Sequence, residues 1–354
     1  MIYIVGGARP NFMKIAAITR AMEKYENIQY EIIHTGQHYD YNMNQVFFDE
    51  FNLKCPYKHL GVGSGDHGEQ TGRIMIEFEK LCKEERPDMV LVVGDVNSTM
   101  ATALVCSKLH IPIAHQEAGM RSGDKKMPEE INRIVTDHIS DLLFPISPKD
   151  ENNLLKEGIK NNVYLVGDPM IDNLLYYAND DREFDTDPPI LVELHRPANV
   201  DNKKNLKEIV VALSKLAEKY HVVFTIHPRT RNRINDFELW SYLDNVDCCE
   251  PMGYFDFHFY MKNSGCVITD SDGIQQETSI LNVSCLAIRD TSNIEYTIQY
   301  GTTQLCKPNS YDIFNKAVLK MHKDEKNKFP EELKKLNDGK SSDRIVRVLI
   351  EYFQ

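Results

Sequence analysis

From end to end, the chain alternates short β-branched runs with longer stretches whose apolar residues recur every three or four positions. That rhythm constrains the fold more than any other feature. A short, wholly apolar run between amphipathic helices must be covered on both sides, which calls for parallel strands with helices on both faces of a sheet. Residues 2–5 form the first such run, and Ile15, Ile18 and Met22 mark the helix after it. Tyr30–His34, Met89–Val93 and 111–115 continue the strands, with a crossover helix over 98–109. Pro128 suits the first turn of a helix that carries Ile131, Ile134, Val135, His138 and Ile139 on one face. A strand at 142–144, a helix at 149–156 and a strand at 163–166 follow, ending at Gly167-Asp168-Pro169, a candidate linker.

The rhythm then restarts. Strands are expected at 189–195, 221–226, 267–269 and 286–288, and helices at 205–220 and 274–281. Ser341 or Ser342 is placed to cap a terminal helix carrying Ile345, Val348 and Leu349. At 354 residues the chain is too long for one ordinary core. The expected fold class is α/β: two Rossmann-like doubly wound domains facing across a cleft, over residues 1–167 and 168–340. In such sheets ligands sit at the carboxyl ends of strands.

Lys and Arg total 41 against 53 Asp and Glu, a net charge of −12 that gives no general attraction to nucleic acid or anionic lipid. An anionic ligand would have to be held by a local pocket against that field. No apolar run approaches the ~20 residues of a membrane-spanning helix. The N-terminal strand shows no basic region or cleavage site of a signal peptide, and a cytoplasmic chain is expected. The eight cysteines include no C-x-x-C pair and read as buried reduced thiols.

Chemistry-bearing residues gather where strands end. Gly6-Gly7-Ala8-Arg9-Pro10-Asn11 to Lys14 joins a strand to a helix, so its amides, with Arg9 and Lys14, could hold an anion. The same residues also fit a tight turn with two solvated cations. The turn is neither a G-x-G-x-x-G fingerprint nor a Walker A loop. Asp95 follows the strand 89–93; Asn97 or Ser98 could cap the next helix, which leaves Asp95 surplus to capping. Glu117 follows 111–115, and Glu129 and Glu130 open the helix after Pro128; for Glu130, dipole complementation suffices. Clustered in a cleft, Asp95, Glu117 and Glu129 would perturb one another's pKa, as general acid–base chemistry requires.

In the second half, Glu193-Leu194-His195-Arg196 and His227-Pro228-Arg229 each end a strand with His and Arg, a pair of sets suited to an anion or sugar. Asp270-Ser271-Asp272-Gly273 enters a helix in which Glu277 lies one turn on. This turn reads either as an ordinary N-cap or as a diphosphate holder with Glu277 placed to receive a ribose hydroxyl. Tyr254 or Phe255 could pack on a base, although the aromatic run 254–259 reads more readily as core. No metal-ligand spacing is present, so neither a metal nor a cofactor is expected.

In order, the chain carries Gly7-Ala8-Arg9-Pro10 with Lys14, then Thr35-Gly36-Gln37-His38, Gly94-Asp95 and His115-x-Glu117-Ala118-Gly119-x-Arg121. Pro128-Glu129-Glu130-x-Asn132-Arg133, Gly167-Asp168, His195-Arg196, Asp270-Ser271-x-Gly273-Ile274-Gln275-x-Glu277 and Arg289-Asp290-Thr291 follow. This succession resembles the non-hydrolysing UDP-N-acetylglucosamine 2-epimerase family over essentially the whole chain. The resemblance implies a glycosyltransferase-B-like fold, with the helix 341–354 crossing back to complete the N-terminal domain. It implies a UDP-sugar substrate whose C2 is epimerised by anti elimination of UDP to a 2-acetamidoglucal and re-addition, in a cytoplasmic enzyme expected to be a homodimer. Asp95, Glu117 and Glu129 match the family's essential carboxylates, and Arg9, Lys14 and His195 its further active-site residues. Ser271, Gly273 and Glu277 match its UDP-binding turn, with Arg196, His227, Asp272 and Arg289 as further expected substrate contacts. Pro197-Ala198, Asp272 and Asn293-Ile294-Glu295-Tyr296 depart from the commoner motifs. His227-Pro228-Arg229-Thr230, Asn11-Phe12 and the stretch 61–70 resemble a branch that includes epimerases of modified sugars such as 2,3-diacetamido uronic acids.

Overall fold

The computed structural model describes residues 1–36, 48, 51, 53–178, 184, 187–292, 294–323 and 325–354, without the side chains of Arg9 and Pro10. Gln37, His38 and Asn293 therefore lie outside the described residues. The chain divides into two compact units, residues 1–173 with 335–354, and residues 174–334.

Each unit is built on a six-stranded parallel sheet. The first contains β1 (Ile2–Gly6), β2 (Tyr30–His34), β3 (Lys58–His59), β4 (Met89–Val93), β5 (Ile113–Gln116) and β6 (Leu142–Phe144), in the order β3-β2-β1-β4-β5-β6. The second contains β7 (Ile190–Glu193), β8 (Val222–Thr225), β9 (Asp247–Cys249), β10 (Cys266–Thr269), β11 (Cys285–Ile288) and β12 (Thr303–Cys306), in the order β12-β11-β10-β7-β8-β9. Counted within each unit, both follow the same doubly wound order, 3-2-1-4-5-6. The expected α/β class of two Rossmann-like units is what the structure holds. Every residue of β1, β4, β8, β10 and β11 is buried, as sheets covered on both faces require.

The winding direction reverses between β1 and β4 in the first sheet, and between β7 and β10 in the second. Loops leaving adjacent strands there depart in opposite directions and open a crevice at their carboxyl ends. The segments after β1 and β4 are Gly7–Ala8 and Gly94–Asp95; those after β7 and β10 are Leu194–Arg196 and Asp270–Ser271.

Four local expectations change. Residues 163–166 make one bridge, Val163 to Leu143, instead of a strand; Tyr164 and Val166 donate to Leu143 and Pro145 as the chain runs extended beside β6. Neither Asn97 nor Ser98 caps the helix Asn97–Leu109: Val96 is its N-cap, and the Asn97 side chain bonds to Gln70 instead. The terminal helix Ser341–Tyr352 is not capped by its own serines. The Ser341 and Ser342 amides donate to the Asp172 carboxylate at 3.0 and 2.6 Å, a cap delivered from a residue remote in sequence. That helix packs against Arg9–Met22.

The fourth concerns the helix Pro128–Ile139. Its apolar stripe is not its most buried face: Ile131 is 41% exposed and His138 is exposed, Ile134, Val135 and Ile139 are half-buried with Ile139 against the core, while Glu130, Asn132, Thr136 and Asp137 are buried. A buried polar face is costly unless its groups find partners, and here all but the Thr136 hydroxyl do. Here Glu130 accepts from the Ser122 and Gly123 amides, Asn132 donates to the Asp95 carbonyl, and Asp137 takes His115, Arg121 and Gly119. The helix serves the ends of β4 and β5.

Candidate active site

In the first unit the turn after β1 is latched by Asn11. Its side-chain oxygen accepts from the Gly7 and Ala8 amides at 3.3 and 3.0 Å, and its amide donates to the Val93 carbonyl at 3.1 Å. Those two amides are thus occupied, so this turn is not the open anion nest that its glycines suggested. What it does is tie β1 to β4 and aim the first turns of the helix Arg9–Met22. Lys14, one turn into that helix, forms an ion pair with Glu117, their side chains only 12% and 17% exposed. Asp95 pairs with Arg133 from the helix Pro128–Ile139.

Gly94 lets these groups approach. Its φ is +75°, and a Cβ there would lie 2.8 Å from Asn11 Nδ2 and 3.4 Å from Glu117 Oε2. Glu117 itself has φ +77°, a left-handed conformation costly for a side chain of this type. Its amide donates to Phe144 O at 3.1 Å and its carboxylate is held by Lys14, which keep it there. Beneath both loops, His115 contacts Asp137 at 2.6 Å through Nδ1 and donates from Nε2 to the Gly94 carbonyl at 2.9 Å. Asp137 also binds Arg121 at 2.7 Å and accepts from the Gly119 amide at 3.1 Å.

Burial raises the Asp95 pKa, and Glu117 raises it further, against the lowering effect of Arg133 and Lys14. Burial alone would lower Lys14, but Glu117, Asp168 and Asp95 reverse this and hold it as a cation. Asp168, buried and near the same lysine, is raised to about 6, chiefly by loss of solvent. One carboxylate poised toward its acid form beside another held by a lysine is an arrangement suited to moving protons. Glu129 is not drawn in: no hydrogen bond or ion pair joins it to Asp95 or Glu117 among the described residues, and it stands partly exposed at the helix start. Arg9 is the first residue of its helix, and its side chain lies outside the description.

In the second unit, Asp270 after β10 organises the end of β7. Its two oxygens accept from the His195 and Arg196 amides, both at 3.1 Å, and from Asn199 Nδ2 at 2.9 Å. His195 Nδ1 lies 2.7 Å from Glu193, which raises the imidazole pKa; Nε2 has no hydrogen bond among the described residues. His227 caps its own helix by accepting from the Arg229 amide, and its ring stands 5.7 Å from that of His195. Arg229 is engaged elsewhere, with Asp201.

Ser271 is the N-cap residue of the helix Asp272–Leu281, but its side chain makes no capping bond, and the space around Gly273 is open. Asp272 is held by both Arg196 and Arg289. Glu277 lies one turn further, 3.4 Å from His258 Nε2. Tyr254 and Phe255 are half-buried and pack edge-on with Tyr177. Glu193, His195 and Asp270 form a cluster able in principle to hold an ion, but the hydrogen bonds just described already occupy both carboxylates.

Sequence reading picked out Asp95, Glu117, Lys14 and the turn 270–273, and the structure places each of them just beyond a strand end or in the helix that follows it. Sequence reading missed Asn11, Asp137 and Asp168 as members of these networks. Asp137 carries no signal in sequence, since an acid near a helix end is usually solvated. Asn11 is the third residue of its helix, and its side chain reaches back to the N-cap amide of Ala8 as in a capping box, a spacing that the sequence does show.

The family model described as UDP-N-acetylglucosamine 2-epimerase matches residues 20–350. The chain belongs to this family. A UDP-N-acetylglucosamine 2-epimerase of Methanocaldococcus jannaschii is 42% identical, with 98% of each chain covered. A UDP-2,3-diacetamido-2,3-dideoxy-D-glucuronate 2-epimerase of Pseudomonas aeruginosa is 40% identical over 86% of this chain and 87% of its own. The solved structure of the M. jannaschii UDP-GlcNAc 2-epimerase in complex with UDP-GlcNAc and UDP shares 41% identity, covers 99% of both chains and has a TM-score of 0.80. Relatives of this family match the chain over both sheets, and the motifs after β1, β4, β7 and β10 lie at the two switch points.

Proposed function

We propose that this protein epimerises a UDP-2-acetamido sugar at C2, with UDP-GlcNAc to UDP-ManNAc as the default reaction. The observation that carries this reading is the pairing of Asp95 and Glu117 at adjacent strand ends, each with its own cation, in a chain of the 2-epimerase family. The C2 proton of a hexosamine is barely acidic. Its removal becomes feasible when UDP leaves C1 in the same elimination, giving a 2-acetamidoglucal that is reprotonated on the other face as UDP re-adds. Asp95 and Glu117 supply the base and acid, Glu129 is a third carboxylate free to meet the sugar, and Lys14 and Arg9 offset the charge that develops. His195, oriented by Glu193, presents Nε2 to the leaving group. Ser271, Gly273 and the first-turn amides hold the diphosphate with Arg196 and Arg289, and Glu277 receives the ribose. His227, beyond β8, flanks His195. No metal or other cofactor is required by this scheme.

The test is incubation with UDP-GlcNAc in D₂O, followed by proton NMR. Deuterium at C2 together with the manno epimer is the expected result; release of UDP with free sugar would replace the proposal with hydrolysis, and binding without exchange would reduce the protein to a nucleotide-sugar binder. The second reading, a diacetamido uronic acid as substrate, is favoured by the near-equal identity to the P. aeruginosa enzyme. It gains support if the same exchange occurs only with that sugar.

We also propose a homodimer that works in the cytoplasm on precursors of cell-surface polysaccharide. The free cysteines suit a reducing compartment, and no helix among the described residues is long and apolar enough to cross a membrane. The outward stripe of Pro128–Ile139, with Ile131 41% exposed and the preceding Met127 40% exposed, suits isologous pairing with a second copy. Light scattering after gel filtration is expected to show a dimer for the wild type and a monomer for Ile131→Glu; a monomeric wild type would refute the assignment.

A further inference from the structure

The acid that the proposed chemistry leaves unexplained is Asp272. It sits at the first residue of the ten-residue helix Asp272–Leu281, on the turn assigned to the diphosphate. Two arginines from different strand ends converge on it. Arg196, beyond β7, reaches Oδ2 at 2.6 Å, and Arg289, beyond β11, reaches Oδ1. One carboxylate bridging two guanidiniums, one oxygen to each, at a helix N-terminus is how a phosphate group would be held.

Asp270 next to it cannot play this part, since its oxygens are fully engaged by the 195–199 segment and it is buried. Asp272 is 25% exposed, and Arg196 and Arg289 are 35% and 10% exposed, so the bridge is partly desolvated yet open to an incoming anion. A diphosphate arriving at the same arginines would meet a carboxylate of like charge. That charge must swing away, or remain and repel.

We propose that Asp272 is a built-in occupant of the diphosphate position. It keeps the two arginines paired and poised in the free protein, and it is displaced when the UDP moiety binds. The proposal rests on the reading that the 270–277 turn holds the diphosphate of a UDP-sugar. It makes the affinity for UDP lower than the arginines alone would give, which favours turnover of a leaving group that must depart and return. A purely structural role, with Asp272 simply bracing the arginines, predicts the opposite sign, because loosened arginines would bind UDP less well.

The experiment is calorimetric titration of the full-length protein with UDP, UMP and uridine, for the wild type, Asp272→Asn and Asp272→Gly, at one fixed salt concentration, with the melting temperature of each recorded. Asparagine keeps the size of the residue without its charge, and glycine removes the side chain altogether. Both variants are expected to bind UDP about tenfold more tightly than the wild type, UMP with a smaller gain, and uridine unchanged. Equal or weaker UDP binding by either variant, or a gain shared by uridine, overturns the surrogate role and leaves the diphosphate assignment standing. Failure of the wild type and both variants to bind UDP overturns the diphosphate assignment itself, and the proposal with it.

Discussion

Asp95→Asn and Glu117→Gln are each expected to lower C2 epimerisation by about 10²–10⁴-fold, the range for losing a general acid or base, with the fold retained. Neither residue supports a core. Asp95 is 26% and Glu117 17% exposed, and the amides that replace them keep their shape and much of their hydrogen bonding. What is lost is charge at the place where a proton must be taken up and delivered. Affinity for UDP should change little, since no residue of the 174–334 unit is altered.

The two substitutions should also differ in pH dependence. Asp95 is raised by burial and then by Glu117, so it loses its proton at a higher pH than an ordinary carboxylate. In Glu117→Gln one raising charge is gone and Lys14 is unpaired, so Asp95 ionises at lower pH. The acid limb of any residual activity should therefore move downward. Deuterium exchange at C2, followed by NMR across the acidic range, measures both effects; near-wild-type rates in both variants would remove the carboxylates from the mechanism.

The largest loss of stability is expected from Asp137→Ala, about 3–5 kcal/mol by urea denaturation, the usual penalty for stripping one partner from a buried ion pair. His115 and Asp137 are wholly buried and Arg121 is 10% exposed, so no water is at hand to replace the carboxylate. The Gly119 amide loses its acceptor as well. Because His115 bonds to Gly94 and Gly119 closes the turn that carries Glu117, activity should fall along with stability. Burial alone would raise the Asp137 pKa, but His115 and Arg121 outweigh it and hold the group below the usual carboxylate range. The native carboxylate thus ionises more readily than the unfolded one. Its contribution is present above the ordinary carboxylate pKa and is lost as pH falls through the lower, folded value. A loss below about 1 kcal/mol would show that the network is slack and not a support of the site.

How far the site was legible depends on the range of the interactions involved. Asp95, Glu117 and Lys14 could be picked out because each stands next to a strand end or inside the helix that follows, and apolar periodicity locates strand ends. Whether they met could not be read. Asp95 and Glu117 were brought together, whereas Glu129 was left without a bond to either. The helix Pro128–Ile139 misled in an instructive way. Its apolar stripe would ordinarily mark the buried face, but Asn132, Arg133 and Asp137 have partners after β4 and β5 that outweigh the stripe. Capping failed for the same reason: Ser341 looked self-sufficient, yet its amide is satisfied by Asp172.

By itself the sequence determined the layering, the parallel sheets, the approximate place of every strand that carries chemistry, and the family. These follow from local patterns of burial, and from residues whose order along the chain is their signature. Tertiary structure alone decided which charges touch. The Lys14–Glu117 pair, the Asp137 network and the double clasp on Asp272 join residues 16 to 103 positions apart. Their energies depend on distance and desolvation, quantities that exist only once each parallel sheet has brought its own strand ends together. The net charge of −12 shows the same division. It removes any general attraction to polyanions, but whether a dianion finds local cations depends on where Arg196 and Arg289 point.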